Sequence, residues 1–277
     1  KSITPDAWRV WDGENSLAAV FLKKDYLDWY RGQGFRTAGF IHIKNYVSIG
    51  AEYNQVDQSL MNTVLDGDKF QQVAYKIQEG DNNYLKSIIT FGYPIEIGVR
   101  RKLQFYSSIV RTQSTGNINN AYTYDHLFVN LLAPYSDDLN FNIKVLAGAS
   151  DVDRLTWSIN EHHQHIFEIG GKGTLRGYDW KQFASSHYFL TTLEVWFDEI
   201  GLVYDRAVIF ESPGNTFNSD YFSDLGNYIT SDADVHNSAG ISFGNEDVSL
   251  SFIRKLNGNS KTNIYLTLTF SAPPQYW

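Results

Sequence analysis

Apolar and polar residues alternate along one stretch of this chain after another, and the joins between the stretches alternate as well, short then long. In Leu139 to Ala147, the residues Leu139, Phe141, Ile143 and Val145 share one face and Asn140, Asn142 and Lys144 the other. Ile264, Leu266, Leu268 and Phe270 likewise oppose Tyr265, Thr267, Thr269 and Ser271, and Val248, Leu250 and Phe252 oppose Ser249 and Ser251. Side chains of a strand point to opposite faces with period two, so each run predicts a strand with one apolar face. Twelve strands are expected, near 16–24, 35–44, 46–54, 84–92, 101–113, 121–133, 139–149, 187–198, 201–211, 235–244, 247–256 and 262–271. Every second connection is short: Lys44-Asn45, Pro94 to Arg100, Pro134 to Asp138, Glu199-Ile200 and Asn245-Glu246. The others include 55–83, 150–186 and 212–234. A soluble sandwich would alternate too, but with turns every 8–12 residues or so. An even number of strands with turns at one end and long loops at the other is the pattern of a transmembrane antiparallel β-barrel of the bacterial outer membrane.

Composition agrees with that reading. The mean hydropathy of −0.33 looks soluble, yet in a membrane barrel only every second residue of a strand faces lipid. No run of 18 apolar residues, as a transmembrane helix requires, occurs. Aromatics make up 16% of the 277 residues. Cys is absent, which excludes disulfides and thiolate metal sites. The formal net charge of −8 argues against a nucleic-acid surface. No apolar leader follows the opening Lys1-Ser2-Ile3-Thr4. Residues 1–15, with Trp8 and Trp11, read as a periplasmic or interfacial lead-in, 16–271 as the barrel and 272–277 as a tail. Part of 59–79 reads as a short amphipathic helix within a loop.

Alternation also sets the faces. If Glu194 points into the lumen, so do Tyr188, Thr192 and Trp196, and lipid receives Phe189, Leu193, Val195 and Phe197. If Glu211 points inward, Asp205 and Ala207 join it, while Leu202, Tyr204, Val208 and Phe210 face lipid. Arg206 then lies outward, at a cost of about 2–4 kcal/mol at mid-membrane and much less near an interface. It is therefore expected near an interface or facing another subunit of an oligomer.

The long connection 150–186 contains Ile169-Gly170-Gly171-Lys172-Gly173-Thr174-Leu175-Arg176-Gly177-Tyr178, a glycine-dense stretch around one arginine. Glycine permits tight turns and close backbone approach. The stretch resembles the (V/L/I)-R-G-(F/Y) loop signature of the BamA-type superfamily, the bacterial surface antigen family of outer-membrane insertases and translocators. Asp25 to Phe35 is similar to the segment after the first barrel strand in short members. Leu193-Glu194-Val195-Trp196-Phe197 resembles the N-x-E-x-R-F strand after the signature loop, and Ile209-Phe210-Glu211-Ser212-Pro213-Gly214 the F-x-D-x-G strand beyond it. Trp196 stands where the family has Arg, and Glu211 where it has Asp. Large members carry sixteen strands and upstream POTRA domains, so twelve strands imply a short member or a barrel fragment.

The resemblance implies that the loop folds into the lumen. It further implies that Gly170, Gly171, Gly173, Leu175, Arg176, Gly177 and Tyr178 form a structural motif, with Arg176 paired to Glu194 and Glu211 on the wall. A guanidinium suits two carboxylates because its planar fork satisfies both in fixed geometry. The implied role is assistance of protein insertion or translocation, without catalysis. The expected partners are outer-membrane lipid and other outer-membrane or secreted polypeptides; oligomeric state is open. A barrel anchor for an upstream hydrolase, such as a patatin-like lipase, is the alternative, with a passive pore or adhesin barrel beside it. No cofactor or metal is expected. Glu161-His162-His163-Gln164-His165 and Glu168 read as a solvated loop, since no regular element fixes ligand geometry. Gly170-Gly171-Lys172-Gly173-Thr174 lacks the spacing of a phosphate loop.

Overall fold

The computed structural model describes residues 24–25, 30–44, 46–60, 71–72, 80–97, 101–115, 122–136, 138–150, 167–171, 173–179, 182–212, 216–231, 234–244, 248–258 and 262–268. Eleven strands form one antiparallel sheet whose order is the order of the chain. They are β1 (Tyr30–Ile43), β2 (Val47–Leu60), β3 (Gly80–Ile97), β4 (Arg101–Ser114), β5 (Thr123–Pro134) and β6 (Leu139–Ser150). β7 (His187–Phe197), β8 (Ile200–Phe210), β9 (Val235–Gly244), β10 (Val248–Lys255) and β11 (Thr262–Leu268) complete it. Each strand pairs with its successor in an unbroken register, as in β7 and β8 from His187↔Phe210 to Phe197↔Ile200. Such a meander is the topology of an up-and-down barrel. The described sheet is open, with β1 and β11 at its edges. The expected strand at 16–24 falls outside the described residues except for Lys24, and the lead-in 1–15, the tail 272–277 and 161–166 with its histidines lie wholly outside them.

The faces are inverted relative to a soluble protein. Outward side chains are apolar and exposed: Ile41 at 69%, Leu202 at 57% and Ile264 at 63%. Inward ones are polar and buried, among them Glu52, Asn54, Thr112, Thr192, Glu194, Asp205, Ser238 and Ser242. In water that arrangement would expose a continuous apolar band and bury polar groups at a cost. In a membrane both terms reverse, because acyl chains meet the band and the polar groups bond across the lumen. Arg36 with Glu52 and Asn54 with Glu52 are two such inward contacts, at 2.5 and 2.8 Å.

Turn lengths follow the expected parity, with tight joins at one end. Lys44 (φ 52°) and Asp198 (φ 52°) take left-handed conformations there, and Asp198 N donates to Asp138 O at 2.7 Å, tying neighbouring turns together. Pro94 lies inside β3, opposite Gln104, so that connection is tighter than Pro94 to Arg100. Within 59–79, Ser59 and Leu60 belong to β2, and Gln71–Gln72 form a two-residue parallel ladder with Lys24–Asp25. The helix expected in that segment otherwise lies outside the described residues.

At the long-loop end lies a feature that alternation could not show. The connection 212–234 contains a helix, α1 (Ser219–Ser231). Asn218 caps it, its Oδ1 accepting Tyr221 N at 2.9 Å. Tyr221 and Leu225 are buried against Ala147, Ala149, Val208, Phe210 and Val235. These are outward positions, so α1 lies on the outside of the wall. Val208 and Phe210, expected against lipid, do face outward but are each only 2% exposed beneath α1.

Candidate functional site

Inside the wall, Phe167–Ile169 and Phe183–Ser185 pair as a small hairpin whose tip is the glycine-dense stretch. The tip closes on itself: Gly171 N donates to Leu175 O at 3.1 Å, Thr174 N to Gly171 O at 3.2 Å and Tyr178 N to Leu175 O at 3.3 Å. Gly170 and Gly171 have φ of 127° and 89°, a region that L side chains rarely enter. A Cβ on Gly170 would also lie 2.2 Å from Asp179 O. Gly177 is needed for a different reason, close approach. A Cβ there would lie 2.3 Å from Ser238 Cβ and 2.8 Å from Lys255 N on the inner wall. Gly173 has neither constraint.

Leu175 is fully buried with Ile169, Tyr178, Tyr188, Leu190 and Ala207. This apolar cluster seats the loop in the lumen and excludes water around Arg176. The guanidinium then meets two carboxylates. Nη1 lies 2.7 Å from Glu194 Oε1, and Nη2 and Nε lie 2.6 and 3.0 Å from Asp205 Oδ1 and Oδ2. The Arg176 backbone N–H also reaches Asp205 Oδ2, at 3.3 Å. Both acids are themselves held. Asp205 accepts from Thr192 Oγ1 at 2.9 Å and Ser238 Oγ at 3.2 Å. Glu194 Oε2 accepts from Asn142 Nδ2 at 3.0 Å, and Lys144 Nζ lies 3.9 Å from Oε1. Burial alone would pull the Arg176 guanidinium down. The hydrogen bonds and negative charge of Asp205 and Glu194 outweigh it and leave Arg176 above its ordinary value. Lys144 and Arg176 balance the two carboxylates, so the cluster is neutral as a whole.

The far edge of the sheet also holds the loop. Asn263 Nδ2 donates to the carbonyls of Arg176 and Tyr178 at 3.2 and 3.0 Å, and Tyr265 OH donates to Arg176 O. Tyr178 packs against Phe183 and His236, with ring centroids 5.3 and 5.5 Å away. The loop thus bridges β7 and β8 on one side and β11 on the other.

Of the residues read from the sequence, Arg176 and Glu194 come together, but Glu211 is not in the cluster. Glu194 stands opposite Val203, and Asp205 opposite Thr192, one diagonal step away. Glu211 is six residues beyond Asp205, about 20 Å along the strand at about 3.3 Å per residue. It has the inward phase but sits at the rim, where its Oε2 accepts from Ser186 Oγ at 2.7 Å. Ser186 Oγ is also 2.8 Å from His187 Nδ1. His187 is buried beside Phe210 and Tyr221. Asp205 was legible as an inward residue. The resemblance placed the second acid on Glu211, six residues beyond the one that meets Arg176.

No protein-family model and no curated protein matches the sequence. Among solved structures, the crystal structure of BamA from Haemophilus ducreyi lacking POTRA domains 1–3 superposes with a TM-score of 0.55 at 12% identity. The match covers 86% of this chain and 54% of that one. CdiB from Acinetobacter baumannii is also matched, at 11% identity over 86% of this chain and 50% of its own, with a TM-score of 0.36. The chain therefore spans about half the length of the structures it matches. This chain has the BamA-type barrel fold. The likeness rests on BamA and concerns fold alone.

Proposed function

We propose that the chain is a non-enzymatic outer-membrane barrel of the BamA type. It assists insertion or translocation of polypeptides, with the Arg176 loop as an internal brace that closes the lumen. The observation that carries this reading is the seating of Arg176. An arginine from a long loop lies inside an inverted, polar-cored sheet and is shared by carboxylates from two adjacent strands. Burying a guanidinium is unfavourable unless its partners are fully placed; here they are. The long loops are extracellular and the tight turns periplasmic on this reading, and the partners are membrane lipid and unfolded outer-membrane or secreted polypeptides.

Reconstitution tests it. Liposomes containing the protein should fold a urea-denatured small barrel, or take up a secreted polypeptide into protection from protease, several-fold faster than protein-free liposomes. A rate equal to that of liposomes holding an unrelated barrel of similar size would contradict the reading. Ion conductance without such acceleration would identify a passive pore.

A further inference from the structure

The outside of the wall carries a second built surface. α1 begins beside β5, where Phe217 N donates to Asp125 Oδ2 at 3.3 Å. It ends beside β8, where Tyr228 lies 5.7 Å from Phe210 between ring centroids. The helix therefore runs across the strands, along the outward row Asp125, Ala149, His187 and Phe210, which are neighbours in register. This row tops the apolar belt, which in such barrels is about 25 Å tall. The helix has three kinds of face. Tyr221 and Leu225 point into the wall. At about 100° per residue, Phe222 and Ile229 share one flank; they are 61% and 39% exposed. Asp220, Asp224 and Ser231 occupy the opposite flank. A surface helix in water needs only its wall-facing stripe to be apolar. A second apolar flank, facing an acidic one, is the pattern of a helix lying in an interface with lipid on one side and water on the other.

We propose that α1 is an interfacial helix of the outer leaflet. Phe222 and Ile229 insert into the acyl-chain boundary, while Asp220 and Asp224 stay in water. The occupant of the apolar flank is lipid rather than protein for two reasons. α1 lies on the outward, apolar side of the wall, against Ala147, Ala149, Val208, Phe210 and Val235. Two side chains also offer a few hundred Å² at most, well under the roughly 800 Å² per partner of a stable protein interface. The helix thereby sets how deep this side of the barrel sits, and it shields the top of β6 to β8 from outside.

The chain has no cysteine, so single cysteines can be introduced and spin-labelled without background. The inference rests on the barrel reading, and the label positions separate the two. Leu202→Cys, in the belt, reports the barrel. Phe222→Cys and Ile229→Cys report the apolar flank, and Asp220→Cys the acidic one. Each variant is reconstituted in phosphatidylcholine vesicles, with heat-modifiable gel mobility confirming the folded barrel. At 202, 222 and 229, lipid-soluble oxygen should relax the label several-fold more than a water-soluble nickel chelate does. The ratio should invert at 220. Strong chelate access at 222 and 229 with lipid access at 202 would overturn the interfacial helix and leave the barrel standing. Protection of 222 and 229 from both agents would also overturn it, in favour of a protein partner. Chelate access at 202 would sink the barrel reading itself.

Discussion

A single side chain decides how the lumen is filled. Asp205 is fully buried, makes two bonds to the Arg176 guanidinium and takes two hydroxyl donors besides. Glu194 makes one bond to Arg176 and keeps an alternative cation in Lys144. Asp205→Asn should therefore loosen the loop more than Glu194→Gln, and Glu211→Gln should leave it in place. Breaking one partner of a buried charge set typically costs about 3–5 kcal/mol. Protease susceptibility of 167–185 in detergent reads the ranking. Each change should be non-additive with Arg176→Ala, as members of one network are. Gly177→Ala should also expel the loop, since its Cβ would overlap Ser238 and Lys255, whereas Gly173→Ala should be silent. The two glycines look alike in the sequence. What separates them is the distance from backbone to wall, a tertiary quantity. Period-two alternation explains why Asp205 could be placed on the inner face but not at its axial level. Phase repeats every second residue and says nothing about height along the strand.

Among the elements, the strands were legible and the helix was not. Alternation and turn chemistry place β4 to β11 to within about three residues, because a one-residue slip would turn every apolar side chain into the lumen, whereas β1, β2 and β3 run about four to six residues beyond the expected bounds. α1 carries Gly226, four serines and threonines and two aspartates, which gives weak helix propensity. Its stability comes instead from Tyr221, Leu225 and Tyr228 against the outer wall, a contact visible only once the wall exists. Tyr221→Ala should detach it at about 3–5 kcal/mol, the usual range for a large buried aromatic, with new cleavage in 212–234. Burial pushes the Tyr221 hydroxyl well above the ordinary tyrosine value of 10.0, and neighbouring Tyr188 adds to it. A raised folded-state value means that stability is intact below pH 10 or so and is lost as pH rises beyond it. Hence α1 should release on alkaline titration, and Tyr221→Phe should move that release to higher pH. Cleavage of 212–234 followed against pH measures both. Arg206, outward as alternation required, flanks Thr191 and Asn237 just below the row that α1 covers. On β8 it stands four residues before Phe210.

The described sheet is an inverted wall, open between β1 and β11 and bonded from within to the Arg176 loop. Its exposed band should keep it aggregated in plain buffer and monodisperse in detergent or lipid; a monodisperse β-rich monomer without either would refute the architecture. Among the described residues β1 and β11 each have a neighbouring strand on one side only; an unpaired backbone group costs several kcal/mol in lipid, so both edges need a partner. We predict that the apolar run 17–22 closes against β11, so cysteine pairs between 17–22 and 264–268 should crosslink in some register. The loop meets β11 through Asn263 and Tyr265, so the brace and the seam are mechanically joined. The central claim is that Arg176 holds this loop in the pore. Single-channel recording in planar bilayers tests it most directly. The parent should show small, infrequent conductance, Arg176→Ala a several-fold larger and steadier one, and Arg176→Lys an intermediate value, because a point charge cannot hold two carboxylates in a fixed fork. Equal conductance in parent and Arg176→Ala, with equal protection of 167–185, would contradict the account.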